Sequence, residues 1–261
     1  MKCKRAGFLV ALALTGAVPA QANEDGLHWG IAGELLQFNY REFDVDDREL
    51  NHEYGPLVGL RLTLNTTGEE LFSRVDARFH DGVVEYDGET QSGIPLRSET
   101  DTRLWSLSAE PGYWIDSAHQ WGAFLRLARQ QWNRDIRPTG NARGIFEIYR
   151  WKEVGAGLRH VWSRAHGQHW GHEISAMGYG VVNGSIFVKL SDLQGTNLGD
   201  TRLRLGDSMG GRLRYTATRK LDEAYRLRIE PFAAVWGFGR SNTRAAGGGL
   251  AVTEPRSRSW R

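Results

Sequence analysis

Two kinds of side chain alternate along residues 71–81 with a period of two. One set is small or apolar and the other is mostly charged: Leu71, Ser73, Val75, Ala77 and Phe79 against Phe72, Arg74, Asp76, Arg78 and His80. Successive side chains of a β-strand point to opposite faces, whereas a helix would mix the two sets. The alternation therefore predicts a strand with one apolar face and one charged face.

The same pattern predicts eight further strands. They cover about residues 29–43, 53–64, 102–114, 121–132, 145–161, 171–182, 201–218 and 224–238. The cleanest apolar face is that of the second strand, with Tyr54, Pro56, Val58, Leu60, Leu62 and Leu64. The first strand has an apolar face that Glu34 interrupts: Ala32, Leu36, Phe38 and Tyr40. We expect both apolar faces to point outward, and the two faces of 171–182 cannot be separated.

The connections between these strands alternate in length. Long polar segments cover 44–52, 82–101, 133–144 and 183–200, and short ones cover 65–70, 115–120, 163–170 and 219–223. Transmembrane β-barrels show this alternation because their turns on one side of the membrane are short. A mean hydropathy of −0.48 is compatible with such a barrel, since only alternate residues need be apolar. The pattern therefore favours an all-β, antiparallel, up-and-down transmembrane barrel over a soluble sandwich.

Residues 1–22 have the pattern of a cleaved secretory signal. Basic residues open the chain, 6–18 are apolar, and Ala20, Gln21 and Ala22 form an A-x-A cleavage site. The apolar run is too short to span a membrane as a helix. We therefore expect a signal peptide over 1–22 and a barrel domain over 23–261, exported to the outer membrane of the cell.

Cleavage would change both the cysteine content and the charge of the chain. Cys3 is the single cysteine and would leave with the signal, so the mature chain would have no disulfide. Three basic residues would also leave, so that 30 of the 33 Lys and Arg face 31 Asp and Glu. This balance predicts no nucleic-acid partner.

The predicted strand count is odd, although single-chain bacterial barrels have an even number of strands. An open edge in lipid would leave backbone groups unpaired. A terminal aromatic residue, common in outer-membrane barrels, is also missing at Arg261. We expect a barrel of about ten strands whose last strand is missing, with an eight-stranded barrel as the alternative.

The signal, the alternating strands and the loop rhythm together resemble small outer-membrane β-barrel proteins of Gram-negative bacteria. Two stretches resemble an uncharacterised group of them more narrowly: Tyr40-Arg41-Glu42-Phe43-Asp44 with Glu53-Tyr54-Gly55-Pro56-Leu57, and Tyr86-Asp87-Gly88 running to Gln91-Ser92-Gly93. The resemblance implies contact with outer-membrane lipid and lipopolysaccharide, and with the barrel-assembly machinery and periplasmic chaperones in transit. It also implies a monomer and carries no known chemistry.

Arginine dominates the charged faces of the predicted strands. The inward-facing candidates are Arg41, Arg61, Arg74, Asp76, Arg78, Arg126, Arg212, Arg214, Arg226, Arg228 and Glu230, with Arg202, Arg204 and Glu110 in the same phase. These residues could line a basic pore for anions. They could equally form a lattice of Arg–carboxylate pairs that fills the lumen, because small barrels are filled by their own side chains. We expect that the lumen is filled by such a lattice.

Other kinds of site have weaker support. Asp76 and His80 share a face, but four residues along a strand separate them by about 13 Å, too far for a hydrogen-bonded dyad. His166, His169 and His172 lie in or beside a predicted turn, with no fixed geometry for a metal. The acidic residues of 44–52 suit a solvated loop better than a partner site.

These observations predict a structural or surface-exposed outer-membrane protein with a largely occluded, arginine-rich lumen. The first alternative is a small anion-preferring channel, and the second is an enzyme with a site at the extracellular rim. We expect no catalytic residues, no metal and no cofactor.

Overall fold

The computed structural model describes residues 13–14, 26–89, 93–140, 142–162, 170–191, 198–222, 225–247 and 250–261. In these ranges the chain forms β-strands and no helix. Consequently no helix among the described residues is long and apolar enough to cross a membrane.

The strands are numbered in chain order. They are β1 Ala13–Leu14, β2 Gly26–Phe43, β3 Glu49–Thr67, β4 Leu71–Glu89, β5 Pro95–Trp114, β6 Trp121–Ile136, β7 Ile145–Trp162, β8 Trp170–Lys189, β9 Thr201–Arg204, β10 Ser208–Lys220, β11 Arg226–Ile229, β12 Phe232–Phe238, β13 Arg244–Gly247, β14 Leu250–Val252 and β15 Arg256–Trp260.

The sheet closes on itself as an antiparallel barrel with ten strand positions. Neighbours in sequence pair from β2 through β8, and β8 pairs with β9 and β10. Strand β10 pairs with β11 and β12, β12 with β15, and β15 with β2. Strands β13 and β14 form a separate hairpin. The predicted fold class, an all-β antiparallel barrel of about ten strands, is confirmed.

The tenth position differs from the expectation of an absent strand. Arg256–Trp260 lies there, with Val235 opposite Trp260 on one side and Phe43 opposite Arg256 on the other. Arg and Ser alternate in this strand, so its sequence shows no apolar face. Further along the same seam, Leu14 of the predicted signal segment pairs with Gly33 and Ile229.

An apolar band surrounds the barrel on its outer face. It includes the exposed side chains of Leu27, Trp29, Ile31, Leu35, Val58, Leu60, Leu62, Leu64, Leu125, Leu127, Val154, Leu158, Leu213 and Val235. The outward orientation predicted for the apolar face of 53–64 is therefore confirmed. We call the end where 68–70 join β3 to β4 the turn end, and the end where 44–48 join β2 to β3 the loop end.

The strands continue past the apolar band at the loop end. Much of the predicted loops 44–52 and 82–101 is strand, since β3 begins at Glu49, β4 runs to Glu89 and β5 begins at Pro95. Beyond the band the outer face is polar, as Gln37 and Asn39 show on β2. The predicted loops were wrong because strands with polar outer faces lack the apolar alternation that marks the band.

The orientation predicted for the first strand was wrong. Leu36, Phe38 and Tyr40 are fully buried and point into the barrel, together with Ala32 and Glu34. Outside the band the outer face meets a polar environment, so apolar side chains are buried inside instead. In a barrel, an acidic residue within an apolar series marks the inner face.

Irregular positions explain the strands whose faces were unclear. Asn183, with φ of 53°, lies where β8 changes phase: Tyr179 and Val181 point inward before it, and Ile186 and Val188 after it. Residues 185–189, which the sequence placed in the long connection 183–200, therefore belong to β8, which ends at Lys189.

A register shift also occurs where β7 and β8 pair between Arg150 and Lys152. A further break at 205–207 places Leu203 and Leu205 inside, so Arg202 and Arg204 point outward, contrary to expectation. The predicted single strand 201–218 is thus two strands with different phases.

Candidate functional site

The barrel lumen holds three layers of side chains in the same order on several strands. From the turn end toward the loop end, β2 contributes Glu34, Phe38 and Glu42. Strand β6 contributes Arg126, Trp132 and Arg134, and β7 contributes Glu153, Tyr149 and Glu147. We call these layers the ion-pair lattice, the aromatic plug and the acidic cluster.

Glu230 is the centre of the ion-pair lattice. Arg74 donates to both of its carboxylate oxygens at 3.0 Å, which is a bidentate contact, and Arg61 and Arg228 also pair with it. The Thr216 hydroxyl donates to it at 3.1 Å. Glu230 is fully buried, so these donors replace the water that an ionised carboxylate needs.

Asp76 and Glu34 extend the lattice on the β2–β4 side. Arg74 donates to Asp76 at 2.8 Å, and Arg61 lies 3.2 Å from Glu34. His80 Nε2 lies 3.0 Å from Glu34, an arrangement that Gly59 allows. A Cβ at Gly59 would lie 2.4 Å from the His80 ring, so no larger residue fits between the ring and β3.

Glu110 and Glu153 extend the lattice on the β5–β7 side. Arg126 pairs with Glu110 at 2.7 Å and with Glu153 at 2.8 Å. Arg214 reaches the other oxygen of Glu110 at 3.1 Å, and Gln130 donates to Glu153 at 2.9 Å. Contacts that join strands from opposite parts of the sequence cross-link the interior of the barrel.

The aromatic plug lies on the loop-end side of the lattice. Trp132 stacks on Tyr149 at 4.7 Å and contacts Tyr40 edge-on at 4.8 Å, while Trp151 stacks on Trp236 at 4.8 Å. Their rings are almost completely buried. Sequence reasoning missed this plug because it placed the aromatic face of the first strand outside.

The acidic cluster surrounds one guanidinium beyond the apolar band, at the loop end. Arg134 pairs with Glu147 at 2.7 Å, with Glu42 at 3.2 Å and with Glu53. The Tyr149 hydroxyl donates to Glu254 at 2.7 Å. Arg134 is thus the close cation for more carboxylates than it can neutralise.

The excess of acid in this cluster raises carboxyl pKa values. Burial raises the pKa of Glu53 to about 7, against the opposing effect of Arg134. Burial, followed by the neighbouring charges of Glu42 and Glu147, raises the pKa of Glu254. Burial among other acids therefore lets a carboxyl of this cluster hold its proton near neutral pH, even with Arg134 close by.

The structure brings most of the predicted lumen residues together. Buried side chains on the inner face include Arg61, Arg74, Asp76, Arg78, Arg126, Arg212, Arg214 and Glu230. Arg228 contacts Glu230, and Arg226 begins β11 in the same phase, half-buried at the turn end. The role of these residues as a binding site stays a prediction.

Arg41 is the exception, and its predicted inward orientation was wrong. It lies between Tyr40 and Glu42, which both point inward, so its own side chain is on the outer face. There it pairs with the exposed Glu49 at 2.9 Å and lies over Trp260. The prediction failed because the faces of the first strand were assigned from its apolar residues.

Two other candidate groups have structural explanations. Asp44 accepts hydrogen bonds from the backbone N–H groups of Asp46 and Arg48, so it orders its own turn. His172 contacts the Tyr215 hydroxyl at 2.7 Å, while His166 and His169 lie outside the described residues. Within the described ranges no group of three or more potential ligands has metal-site geometry.

Comparison with known proteins shows the fold. No family model and no curated protein matches the chain. Among solved structures, the outer membrane protease OmpT from Escherichia coli is similar, with a TM-score of 0.56 at 9% identity over 96% of this chain and 93% of that one. The narrower resemblance of the two sequence stretches therefore stays a prediction.

Two further structures are similar over most of this chain. A TodX deltaS2S3 mutant, a monoaromatic hydrocarbon channel, has a TM-score of 0.43 at 12% identity, covering 89% of this chain and 67% of that one. The β domain of the Bordetella autotransporter BrkA has a TM-score of 0.35 at 10% identity, covering 85% and 96%.

Proposed function

We propose that this chain is an integral outer-membrane protein with a structural or surface-exposed role and a lumen that does not conduct. The apolar band supports insertion in a bilayer, because alternate outward residues are apolar where lipid would lie. The short turns would face the periplasm, and the polar loop end would project from the cell.

The observation that carries this proposal is the ion-pair lattice across the lumen. Arg61 and Arg126 are each 1% exposed, and Glu153 and Glu230 are 0% exposed. An open pore would leave these groups in contact with water. The aromatic plug adds a second barrier, since the Trp132 and Tyr149 rings are also fully buried.

Planar-bilayer recording tests the sealed lumen directly. The full chain, shown to be folded by its heat-modifiable mobility on a gel, is expected to give no steady conductance. Arg126→Ser should open a path, because it replaces a long side chain that joins Glu110 to Glu153. Arg129→Ser, on the outer face of the same strand, is the matched control and should stay silent.

Steady, anion-selective current from the unaltered chain would overturn this proposal in favour of the channel alternative. Silence from a folded Arg126→Ser variant would show that the loss of this one arginine does not open the lumen. In that case the aromatic plug would have to be tested next, by Trp132→Ala.

The enzyme alternative has less support. The OmpT structure is that of a protease, but the similarity at 9% identity concerns the fold. Among the described residues, the imidazole–carboxylate pair within 4 Å is His80–Glu34, and both side chains are at most 4% exposed. A site of that kind lies inside the lattice, out of reach of a macromolecular substrate.

A basic pair on the outer face supports contact with lipopolysaccharide. Arg129 and Lys152 are directly opposite on β6 and β7, are both exposed, and follow the apolar residues Leu127 and Val154 toward the loop end. Like charges directly opposite in a sheet repel each other unless an anion lies between them. The phosphate groups of the outer leaflet carry the negative charge that this pair needs, and they would lie at the same level, just beyond the apolar band.

Reconstitution into vesicles tests this contact. With lipopolysaccharide in the outer leaflet, wild-type protein should unfold more slowly than in zwitterionic lipid, and the Arg129→Gln, Lys152→Gln double variant should lose this difference. A double variant that is protected as well as the wild type would refute the contact.

A further inference from the structure

Three of the buried arginines differ from the rest. In the described part of the chain, Arg61, Arg74, Arg126, Arg134 and Arg214 each have a carboxylate oxygen within 3.1 Å. Arg78 has only longer contacts, with Asp76 at 3.4 Å, Glu230 at 3.8 Å and Glu34 at 3.9 Å, and no Asp or Glu of the described residues lies within 4.0 Å of Arg212 or Arg261. Arg212 and Arg261 are 5% and 9% exposed, so water does not replace the missing partner.

Two of these arginines line one place in the lumen, and Arg212 lies over Phe232, which also lines it. Arg78 and Arg261 line a small cavity between the lattice and the aromatic plug, together with His80, Ser106, Gln130 and Phe232. The Arg78 and Arg212 guanidinium groups lie 5.3 and 5.6 Å from the centre of the Phe232 ring. The Nε atoms of all three arginines lack a hydrogen-bond acceptor.

Neighbouring carboxylates are already engaged by other cations. Glu153, an acid that lies close enough to act on Arg212, is held by Arg126 and Gln130. Glu34 faces His80 and Arg61. Arginine cannot relieve the imbalance by losing its proton, because a guanidinium stays protonated in proteins. A buried cation without a partner is strongly unfavourable. The remaining source of a counter-charge is therefore an anion taken up from the solvent.

We propose that this cavity binds a small monovalent anion of the size of a halide ion. The cavity has room for about one water-sized species, which excludes a phosphate or an organic acid. The guanidinium groups supply the charge, and the Ser106 hydroxyl is a further donor. Such an ion would be a resident counter-charge of the lattice and need not cross the membrane.

Anion-dependent thermal unfolding of the full chain in detergent tests the proposal. Sodium gluconate is replaced by sodium bromide at constant ionic strength, and unfolding is followed by tryptophan fluorescence. A ligand that binds the folded state raises Tm with its concentration. We expect Tm to rise and saturate with bromide, because gluconate is too large for the cavity.

Arg212→Met is expected to remove this rise, with an apparent affinity for bromide at least about tenfold weaker. Arg202→Met, on the outer face of β9, is the matched control and should keep the full rise. If Arg212→Met does not fold, Arg212→Lys, which keeps the charge but loses the planar fork, should fold and bind bromide more weakly.

Equal Tm values in bromide and gluconate would overturn the proposal, as would a folded Arg212→Met variant that keeps the rise. Crystals grown in bromide give a second readout. We expect an anomalous peak beside Arg78 and Arg261, and peaks confined to the protein surface would mean adventitious ions only. These results are independent of the bilayer recordings, since a sealed lumen can hold or lack an ion.

Discussion

The ion-pair lattice and the acidic cluster both bury charged groups, but they have opposite imbalances of charge. Both bury charged side chains inside one barrel, and both use arginine to hold carboxylates. In the lattice, cations exceed the acids they contact, and Arg212 has no carboxylate within 4.0 Å. In the cluster, Arg134 faces Glu42, Glu53 and Glu147, with Glu254 beside them.

The difference shows that buried acids and buried arginines are not equivalent. A buried carboxyl can take up a proton, and burial raises the pKa of Glu53 to about 7 although Arg134 lies beside it. A guanidinium keeps its proton under all ordinary conditions. An acid-rich layer therefore depends on pH, whereas an arginine-rich layer depends on the anions that are available.

Arg134→Met should have the largest effect on stability. It leaves the carboxylates of the cluster without their close cation, and breaking a buried pair in this way costs about 3–5 kcal/mol. We expect this loss in the free energy of unfolding at pH 7, measured by urea titration in detergent, and a smaller loss at pH 5. Arg137→Met, whose partners Glu99 and Asp101 are exposed, should have a much smaller effect, because water screens the exposed pairs. Equal effects of the two variants would contradict the comparison.

Glu53→Gln should flatten the dependence of stability on pH. The folded pKa of about 7 lies above the ordinary 4.5, so the folded state binds more protons than the unfolded state between these values. The free energy of unfolding of the wild type should therefore fall as pH rises from about 4.5 to 7, by at most about 3 kcal/mol from this group. Glu69→Gln, in the exposed turn, is the control. A variant that keeps the wild-type slope would assign the dependence to other groups.

Arg41→Gln should have the smallest effect, and Arg61→Gln is its matched comparison. Both positions were predicted to face the lumen, but Arg41 lies outside with an exposed partner, so its loss should cost about 1 kcal/mol or less. Arg61, held by Glu34 and Glu230 inside the lattice, should cost about 3 kcal/mol or more. Urea titration of the two variants decides the point, and similar costs would place both arginines in equivalent surroundings.

Where lipid would contact the barrel, the local sequence was sufficient to predict which face of a strand points outward. The apolar face from Val58 to Leu64 points outward as predicted, because the band requires an apolar residue at every second position. Beyond the band this requirement ends. Arg256–Trp260 therefore showed no strand signal, and the aromatic residues Phe38 and Tyr40 were assigned to the wrong face.

The sequence by itself determined the class of fold, the approximate number of strands and the abundance of arginine on their inner faces. These follow from the two-residue period of a strand, which is a local property. Only the tertiary structure decided which carboxylate each arginine meets, because strands distant in sequence supply the partners, as Arg74 and Glu230 show. It also decided the phase of β8 and β9, since one irregular residue reverses both faces of a strand.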